Sequence, residues 1–131
     1  MVTNSAYGFS RRLDMSYEDA TQQIKDALKT EGFGVLTEID VKDTLSKKLQ
    51  VDFRRYRIIG ACNPSLAHKA LQTELHVGLL LPCNVIVYED GDGAVVAAFD
   101  PEAAMGLAGN PALVEVAKEA KERLERALTS I

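Results

Sequence analysis

The segment Leu79–Tyr88 constrains the fold most, because it is apolar at odd and even positions alike. A strand with one face in water alternates apolar and polar residues, whereas a strand covered on both faces does not. The phrase Asp-Gly-Asp-Gly at 90–93 is typical of a tight turn, and Ala94–Phe99 then predicts a strand that returns antiparallel. The sequence therefore predicts a central hairpin whose first strand is covered on both faces.

Further strands and helices alternate around this hairpin. Strands are predicted over Ala6–Leu13, Phe33–Ile39 and Phe53–Cys62, and a short helix or turn is predicted after Asp100. Four helices, of which the one after Asp40 is short, are predicted to begin at polar residues that accept hydrogen bonds from free N–H groups. These capping residues are Ser16, Asp40, Asn63 and Asn110, and a proline follows each of the last two.

The order of these elements predicts an α+β fold. We expect a two-layer α/β sandwich in which a mixed, mainly antiparallel sheet carries helices packed on one face. A chain of 131 residues is long enough for one hydrophobic core, so a single domain over residues 1–131 is expected.

The sheet face opposite the helices also needs a cover. Leu79–Tyr88 predicts apolar side chains on that face, and large exposed apolar patches usually mark interaction surfaces. Two copies of a chain that pack through the same surface bury it in both. We therefore expect a homodimer.

The charge balance argues against nucleic acid as a partner. The net charge is −4, whereas nucleic acids and anionic lipids are bound by clustered excess Lys and Arg. One stretch is locally basic, with Lys47, Lys48, Arg54, Arg55 and Arg57 close together. A solvated strand edge is the ordinary explanation, and a site for a small anionic ligand is the alternative.

Neither a membrane span nor an export signal is expected. The longest apolar stretch is interrupted by Pro82 and Asn84 and is shorter than the about 20 residues that a spanning helix needs. The first residues lack the basic, apolar and small-residue regions of a signal peptide. We expect a cytoplasmic protein whose cysteines are reduced.

The two cysteines are the candidate catalytic groups. Cys62 lies between a predicted strand and the helix that begins at Asn63, and Cys83 precedes Asn84 in the apolar segment. The positive end of a helix dipole stabilises a thiolate, so Cys62 is a candidate nucleophile. Packing is the alternative for both, because cysteine is a small apolar residue that is often buried. If their strands are neighbours, the two sulfur atoms can approach each other.

No metal site or cofactor is expected. The possible metal ligands, Cys62, Cys83, His68 and His76, have none of the short paired spacings that place two ligands on one turn. Nucleotide-binding glycine loops and the Gly-x-Ser-x-Gly nucleophile motif are absent from the sequence.

The phrases GACNPSLAHKAL at 60–71 and GLLLPCNVIVYE at 78–89, with FRRYRIIG before them, resemble the small prokaryotic family known as domain of unknown function 302. The resemblance implies a two-layer α/β fold with a mixed sheet, and it implies no particular activity. The motif residues that it carries over are Gly60, Cys62, Asn63, Pro64, Ala67, Leu71, Gly78, Pro82, Cys83 and Asn84. His68 is outside this set, which weakens the case for a Cys-His metal site.

Two hypotheses for function follow. The first is a homodimeric ligand-binding or interaction module with a cleft at the helix start Cys62-Asn63-Pro64, where free N–H groups and an arginine hold a small anion. Its candidate ligand-binding residues are Asn63, Asn84, His68, Arg55 and Arg57. The second is a thiol-dependent redox protein or enzyme, in which Cys62 is the nucleophile and Cys83 its resolving partner.

Overall fold

The computed structural model describes residues 2–131 of the chain. Its strands are Thr3–Asn4 (β1), Gly8–Leu13 (β2), Gly34–Asp40 (β3), Tyr56–Cys62 (β4), Cys83–Asp90 (β5) and Gly93–Phe99 (β6). Its α-helices are Tyr17–Thr30 (α1), Val41–Leu49 (α2), Pro64–Thr73 (α3), Pro101–Gly106 (α4) and Val114–Thr129 (α5). Two 3₁₀ helices lie at Leu75–Leu80 and Pro111–Leu113.

The strands form one six-stranded sheet in the order β1-β2-β6-β5-β4-β3. The predicted hairpin is confirmed, since β5 and β6 pair antiparallel from Val85 opposite Ala98 to Asp90 opposite Gly93. The α+β fold is confirmed as well. The expectation of a mixed sheet is corrected, because every pairing within residues 2–131 is antiparallel. Strands β2 and β6 are neighbours although they are not consecutive in the chain, so the chain crosses the sheet between β2 and β3.

The predicted caps explain where the helices begin. Ser16 accepts a hydrogen bond from Asp19 N at 3.1 Å, and Asp40 accepts one from Asp43 N at 2.9 Å. Both satisfy N–H groups that the first helical turn leaves free. At the other end of α1, Gly32 has φ +84°, a conformation that costs glycine little and ends the helix sharply.

The front face of the sheet, defined here as the face that carries the helices, holds the main core. Helices α1 and α5 lie across it, and their inward side chains are fully buried against the central strands. The largest of these side chains are Ile24, Leu28, Leu124 and Leu128. Each contributes about 1.5–3 kcal/mol through loss of apolar surface from water. None of the helices within residues 2–131 is both long enough and apolar enough to cross a membrane.

The predicted start of the central strand at Leu79 was wrong. Residues 75–80 form a 3₁₀ helix, and Leu79 is 86% exposed instead of buried in the sheet. Strand β5 begins only at Cys83. The physical reason is Pro82, which has no N–H to donate to a neighbouring strand and so stands at the start of the ladder.

The rear face of the sheet, away from the helices, is apolar as expected. In the antiparallel register Tyr56 lies opposite Tyr88, and Ile58 opposite Ile86. Because side chains alternate along a strand, these four residues point away from the helices. The rear positions of β6 are Val95, Ala97 and Phe99. The pattern of Leu79–Tyr88 thus correctly indicated apolar side chains on both faces of β5.

Candidate functional site

The two cysteines lie on neighbouring strands, at one end of the sheet. Cys83 is the first residue of β5 and lies opposite Ala61 of β4, and Cys62 is the next residue of β4. Ala61 is fully buried in the front core, and Cys83 packs against the same core. The strands are neighbours as expected. Both cysteines border the same small cavity at the start of α3, and both thiols are free.

Burial makes Cys83 a poor nucleophile. Desolvation, with a smaller contribution from Cys62, raises the pKa of the Cys83 thiol from 9.0 to about 11. The thiolate is the reactive form of cysteine, so Cys83 holds its proton at neutral pH. This environment favours a packing role for Cys83.

The helix start at Asn63 encloses only a small space. Asn63 accepts a hydrogen bond from Leu66 N at 3.3 Å, so its side chain oxygen caps α3. The cavity between Cys62, Cys83 and the inner side of α3 has a volume of about 30 Å³. That is room for one or two water molecules. The cleft expected at this position is therefore too small for an organic ligand.

The structure does not assemble the anion site that the sequence suggested. Arg57 and Asn63 lie at opposite ends of β4, about 20 Å apart at 3.3 Å per residue. Arg57 bonds to Tyr17 Oη and Glu38 Oε1, each at 3.3 Å. Arg55 pairs with Glu18 and with Glu89. Both guanidinium groups are thus satisfied within the protein, far from the helix start.

The remaining candidates are dispersed. His68 is exposed on α3, whereas Asn84 lies on the rear face opposite Gly60. Within residues 2–131, no group of three or more His, Cys, Asp or Glu side chains is placed to hold a metal ion. Of the candidates for ligand binding, Arg57 lines an open hollow of about 310 Å³ beside α1, and Asn84 lines a larger one.

That hollow is on the rear face and has a volume of about 480 Å³. We call it the rear hollow. It extends across β2, β6 and β5 to the beginning of β4. Its most prominent lining residues are Tyr7, Tyr56, Asn84, Ile86, Tyr88 and Phe99. The volume falls within the range of small-molecule sites, about 300–1,000 Å³, and such sites are mainly apolar with a few polar groups.

Three tyrosines converge on the rear hollow. The rings of Tyr56 and Tyr88 stack across β4 and β5, with centroids 5.5 Å apart and planes within 8°. Burial raises the pKa of Tyr56, and the neighbouring Tyr88 and Tyr7 raise it further. The Tyr56 phenol therefore keeps its proton at neutral pH and can donate a hydrogen bond.

One arginine, Arg54, lies over the ring of Tyr88, outside the residues that line the hollow. The Cζ atom of Arg54 is 5.7 Å from the centroid of the Tyr88 ring, and Arg54 Nη1 donates to the carbonyl oxygen of Glu89 at 3.3 Å. Arg54 forms no salt bridge with any residue in the described range 2–131. It is therefore a cation with capacity for a further partner.

Sequence reasoning missed Tyr7, Tyr56, Tyr88 and Phe99 as site residues. The alternation of Tyr56 and Ile58 was visible, but the meeting of β4, β5 and β6 depends on strand order, which the sequence does not state. The sequence feature that could have indicated the site was the presence of Tyr56 and Tyr88 at rear positions of two predicted strands. Buried tyrosines usually need a partner for their hydroxyl group.

The chain is similar to proteins of a known family. The family model described as domain of unknown function DUF302 matches residues 9–131. The chain belongs to the DUF302 family. A crystal structure of an uncharacterized conserved DUF302 protein from Bacillus stearothermophilus is similar over 95% of this chain and 98% of that one, with 29% sequence identity and a TM-score of 0.88. None of the curated proteins matches.

The two phrases that resembled DUF302 meet in the folded chain. Gly60 of the first phrase lies against Pro82 of the second and against Thr37 of β3; a Cβ atom at residue 60 would stand 2.3 Å from Thr37 Oγ1 and 2.9 Å from Pro82 Cγ. This close approach explains the glycine and the proline by packing. In this DUF302 protein the two phrases thus meet at one end of the sheet, and the second phrase also contributes Asn84, Ile86 and Tyr88 to the rear hollow.

Proposed function

We propose that this DUF302 protein is a homodimeric ligand-binding module whose ligand occupies the rear hollow. The observation that carries the proposal is a hollow of about 480 Å³ lined by three tyrosines on an otherwise apolar face. Convergent polar groups in a large apolar pocket are the usual mark of a binding site. This hollow replaces the ligand site that the sequence predicted at the Asn63 helix start, because the cavity there has only about 30 Å³.

The polar groups of the rear hollow are suited to binding. They are phenols, the Asn84 amide and the Ser5 and Ser10 hydroxyls, which orient a ligand through hydrogen bonds. Neither cysteine lines it. The raised pKa of Cys83 also gives no support to the thiol-dependent alternative.

A filling substitution tests the site. Ala97 lies on the rear side of β6, opposite Ile86, and lines the hollow. The Ala97→Phe variant should occupy much of the space and abolish binding of small aromatic compounds, measured by saturation-transfer NMR on a fragment library. The matched control is Ala112→Phe, at an exposed alanine in a 3₁₀ turn. If wild type binds no fragments, or if Ala97→Phe binds them as well as Ala112→Phe does, the site is refuted.

The second copy of the chain is proposed to pack on the same rear face and to border the hollow. Large apolar residues are exposed at the β3 edge of the sheet, on α2 and in the segment that follows α2. They are Val35, Leu36, Ile39, Leu49, Val51 and Phe53. The charged residues at rear positions of the central strands are Arg12 and Asp90, which form a salt bridge of 3.0 Å. A two-fold contact between such faces brings no like charges together.

The size of the rear face is adequate for a dimer. Strands β2 to β6, each about 20 Å long and spaced at about 4.8 Å, present roughly 500 Å² in projection. Two such faces together reach the about 1,000 Å² expected of a biological interface. The exposed side chains of the β3 edge add to that area.

Sedimentation velocity tests the dimer separately from the ligand site. Ile39 lies opposite Ile58 on the rear face and is 48% exposed. Wild type should sediment as a dimer at micromolar concentration, and Ile39→Lys should sediment as a monomer. Val114→Lys is the matched control, since Val114 is 56% exposed at the start of α5 on the helix side. A monomeric wild type, or a dimeric Ile39→Lys variant, would refute this interface.

A further inference from the structure

We infer that the ligand of the rear hollow is a small planar aromatic carboxylate. This inference rests on the proposed function and adds the chemical class of the ligand. It follows from two features: a stacked pair of aromatic rings in the lining of the hollow, and an arginine that contacts one of these rings from outside the lining and has no carboxylate partner among residues 2–131.

The aromatic part of the ligand is specified by the lining. The rings of Tyr56 and Tyr88 stack on each other, with planes within 8°, and both border the hollow, where Phe99 adds a further ring to the lining. Aromatic rings favour offset-stacked or edge-to-face contacts with other rings, worth about 0.5–1.5 kcal/mol beyond burial of area. A planar ring system gains such contacts with several residues at once, whereas an aliphatic chain of equal volume does not.

The carboxylate is specified by Arg54. Its guanidinium lies against the Tyr88 ring at 5.7 Å, so a ligand stacked near that ring lies close to its donors. Its single bond to the Glu89 carbonyl at 3.3 Å leaves further N–H groups free. Guanidinium donors match the two oxygens of a carboxylate in geometry and charge.

The charges around Arg54 support an anionic ligand at this point, although the chain as a whole is acidic. The nearest carboxylates already have cationic partners. Glu89 pairs with Arg55 at 3.1 Å, and Asp90 with Arg12 at 3.0 Å. Their negative charge is thus compensated locally, whereas the charge of Arg54 is not.

Hydrogen-bond donors in the lining of the hollow also suit an aromatic carboxylate as ligand. The Tyr56 phenol keeps its proton, since burial and the neighbouring tyrosines raise its pKa, and the Asn84 amide also donates. Both suit acceptor oxygens on the ligand. The rear hollow contains no carboxylate side chain that would repel an anion.

Isothermal titration calorimetry with two probes of the same shape tests the inference. Naphthoate and naphthamide share the ring system and differ in charge. Wild type should bind naphthoate about 10-fold more tightly, as expected for one charge-assisted pair in place of a neutral one. Arg54→Gln should remove the preference without weakening naphthamide. Lys48→Gln, which removes another exposed cation close in sequence, should retain it.

The outcomes separate this inference from the proposed function. If both probes bind wild type equally, or if Arg54→Gln keeps the preference for naphthoate, the carboxylate assignment is wrong and the hollow remains a ligand site. If neither probe binds while Ala97→Phe and wild type behave alike toward aromatic fragments, the proposed function fails and this inference fails with it.

Discussion

Replacing Gly60 with alanine should destabilise the fold through a clash that the structure locates. The added methyl group would meet Pro82 Cγ at 2.9 Å and Thr37 Oγ1 at 2.3 Å. Thr37 can rotate its hydroxyl away, but the ring of Pro82 has little freedom. Overpacking of this kind costs about 1–3 kcal/mol. The loss of glycine's freedom in the unfolded chain offsets about 0.4–1 kcal/mol, so we expect a net loss of about 1–2 kcal/mol.

Urea denaturation followed by circular dichroism measures this change in the free energy of unfolding. Gly34→Ala is the matched control, because a Cβ there meets nothing nearer than Cys62 O at 4.0 Å. That variant should be as stable as wild type or slightly more so. Adding Thr37→Ala to Gly60→Ala should recover part of the loss. Equal stability of the Gly60→Ala and Gly34→Ala variants would refute the packing explanation of the motif.

Three further predictions address the helices, the core and the buried thiol. Asn63→Ala should lower the free energy of unfolding by about 1 kcal/mol, because it removes the cap of α3; no change in urea denaturation would contradict the capping role. Leu124→Ala should cost about 2–5 kcal/mol, since Leu124 is fully buried, and a loss under about 1 kcal/mol would contradict the core assignment. The folded chain holds the Cys83 proton up to about pH 11, whereas the unfolded chain releases it near 9.0, so stability should fall as pH rises between these values. Between about pH 8 and about pH 10.5 the free energy of unfolding should fall by about 2 kcal/mol more in wild type than in Cys83→Ala. Parallel pH profiles of the free energy of unfolding in the two proteins would contradict the burial of this thiol.

The hairpin and the helix starts were predictable because their causes are local. The side-chain oxygens of Ser16, Asp40 and Asn63 each accept a hydrogen bond from a backbone N–H of the helical turn that follows. The turn at 90–93 similarly specified the pairing of β5 with β6. Periodicity also identified the rear face, because alternation along a strand needs no knowledge of its neighbours.

The site was not predictable to the same degree, because it depends on which strands are neighbours. Tyr56 and Tyr88 are far apart in sequence and stack only because β4 pairs with β5. The position of Tyr7 near them depends on β2 joining the far side of β6. The sequence instead drew attention to Cys62, because the chain has few cysteines, and to Asn63, because it can cap a helix. In the structure Asn63 caps α3, and Cys62 borders a small cavity at the same end of the sheet.

Leu79 shows how an apolar run can mislead. Hydrophobicity alone does not separate a buried strand from an exposed turn, and Pro82 was the local evidence for a later start of the strand. The exposed leucines of this 3₁₀ helix have no structural explanation in the single chain.

The most direct test of the central claim is an NMR titration of ring-labelled tyrosine in the wild-type protein with naphthoate. The chain contains four tyrosines and no tryptophan, and Tyr17 is buried beneath the front face. The account predicts that the signals of Tyr7, Tyr56 and Tyr88 shift together with one dissociation constant, while that of Tyr17 stays in place. Shifts confined to Tyr17, or no shifts at saturating naphthoate, would contradict it.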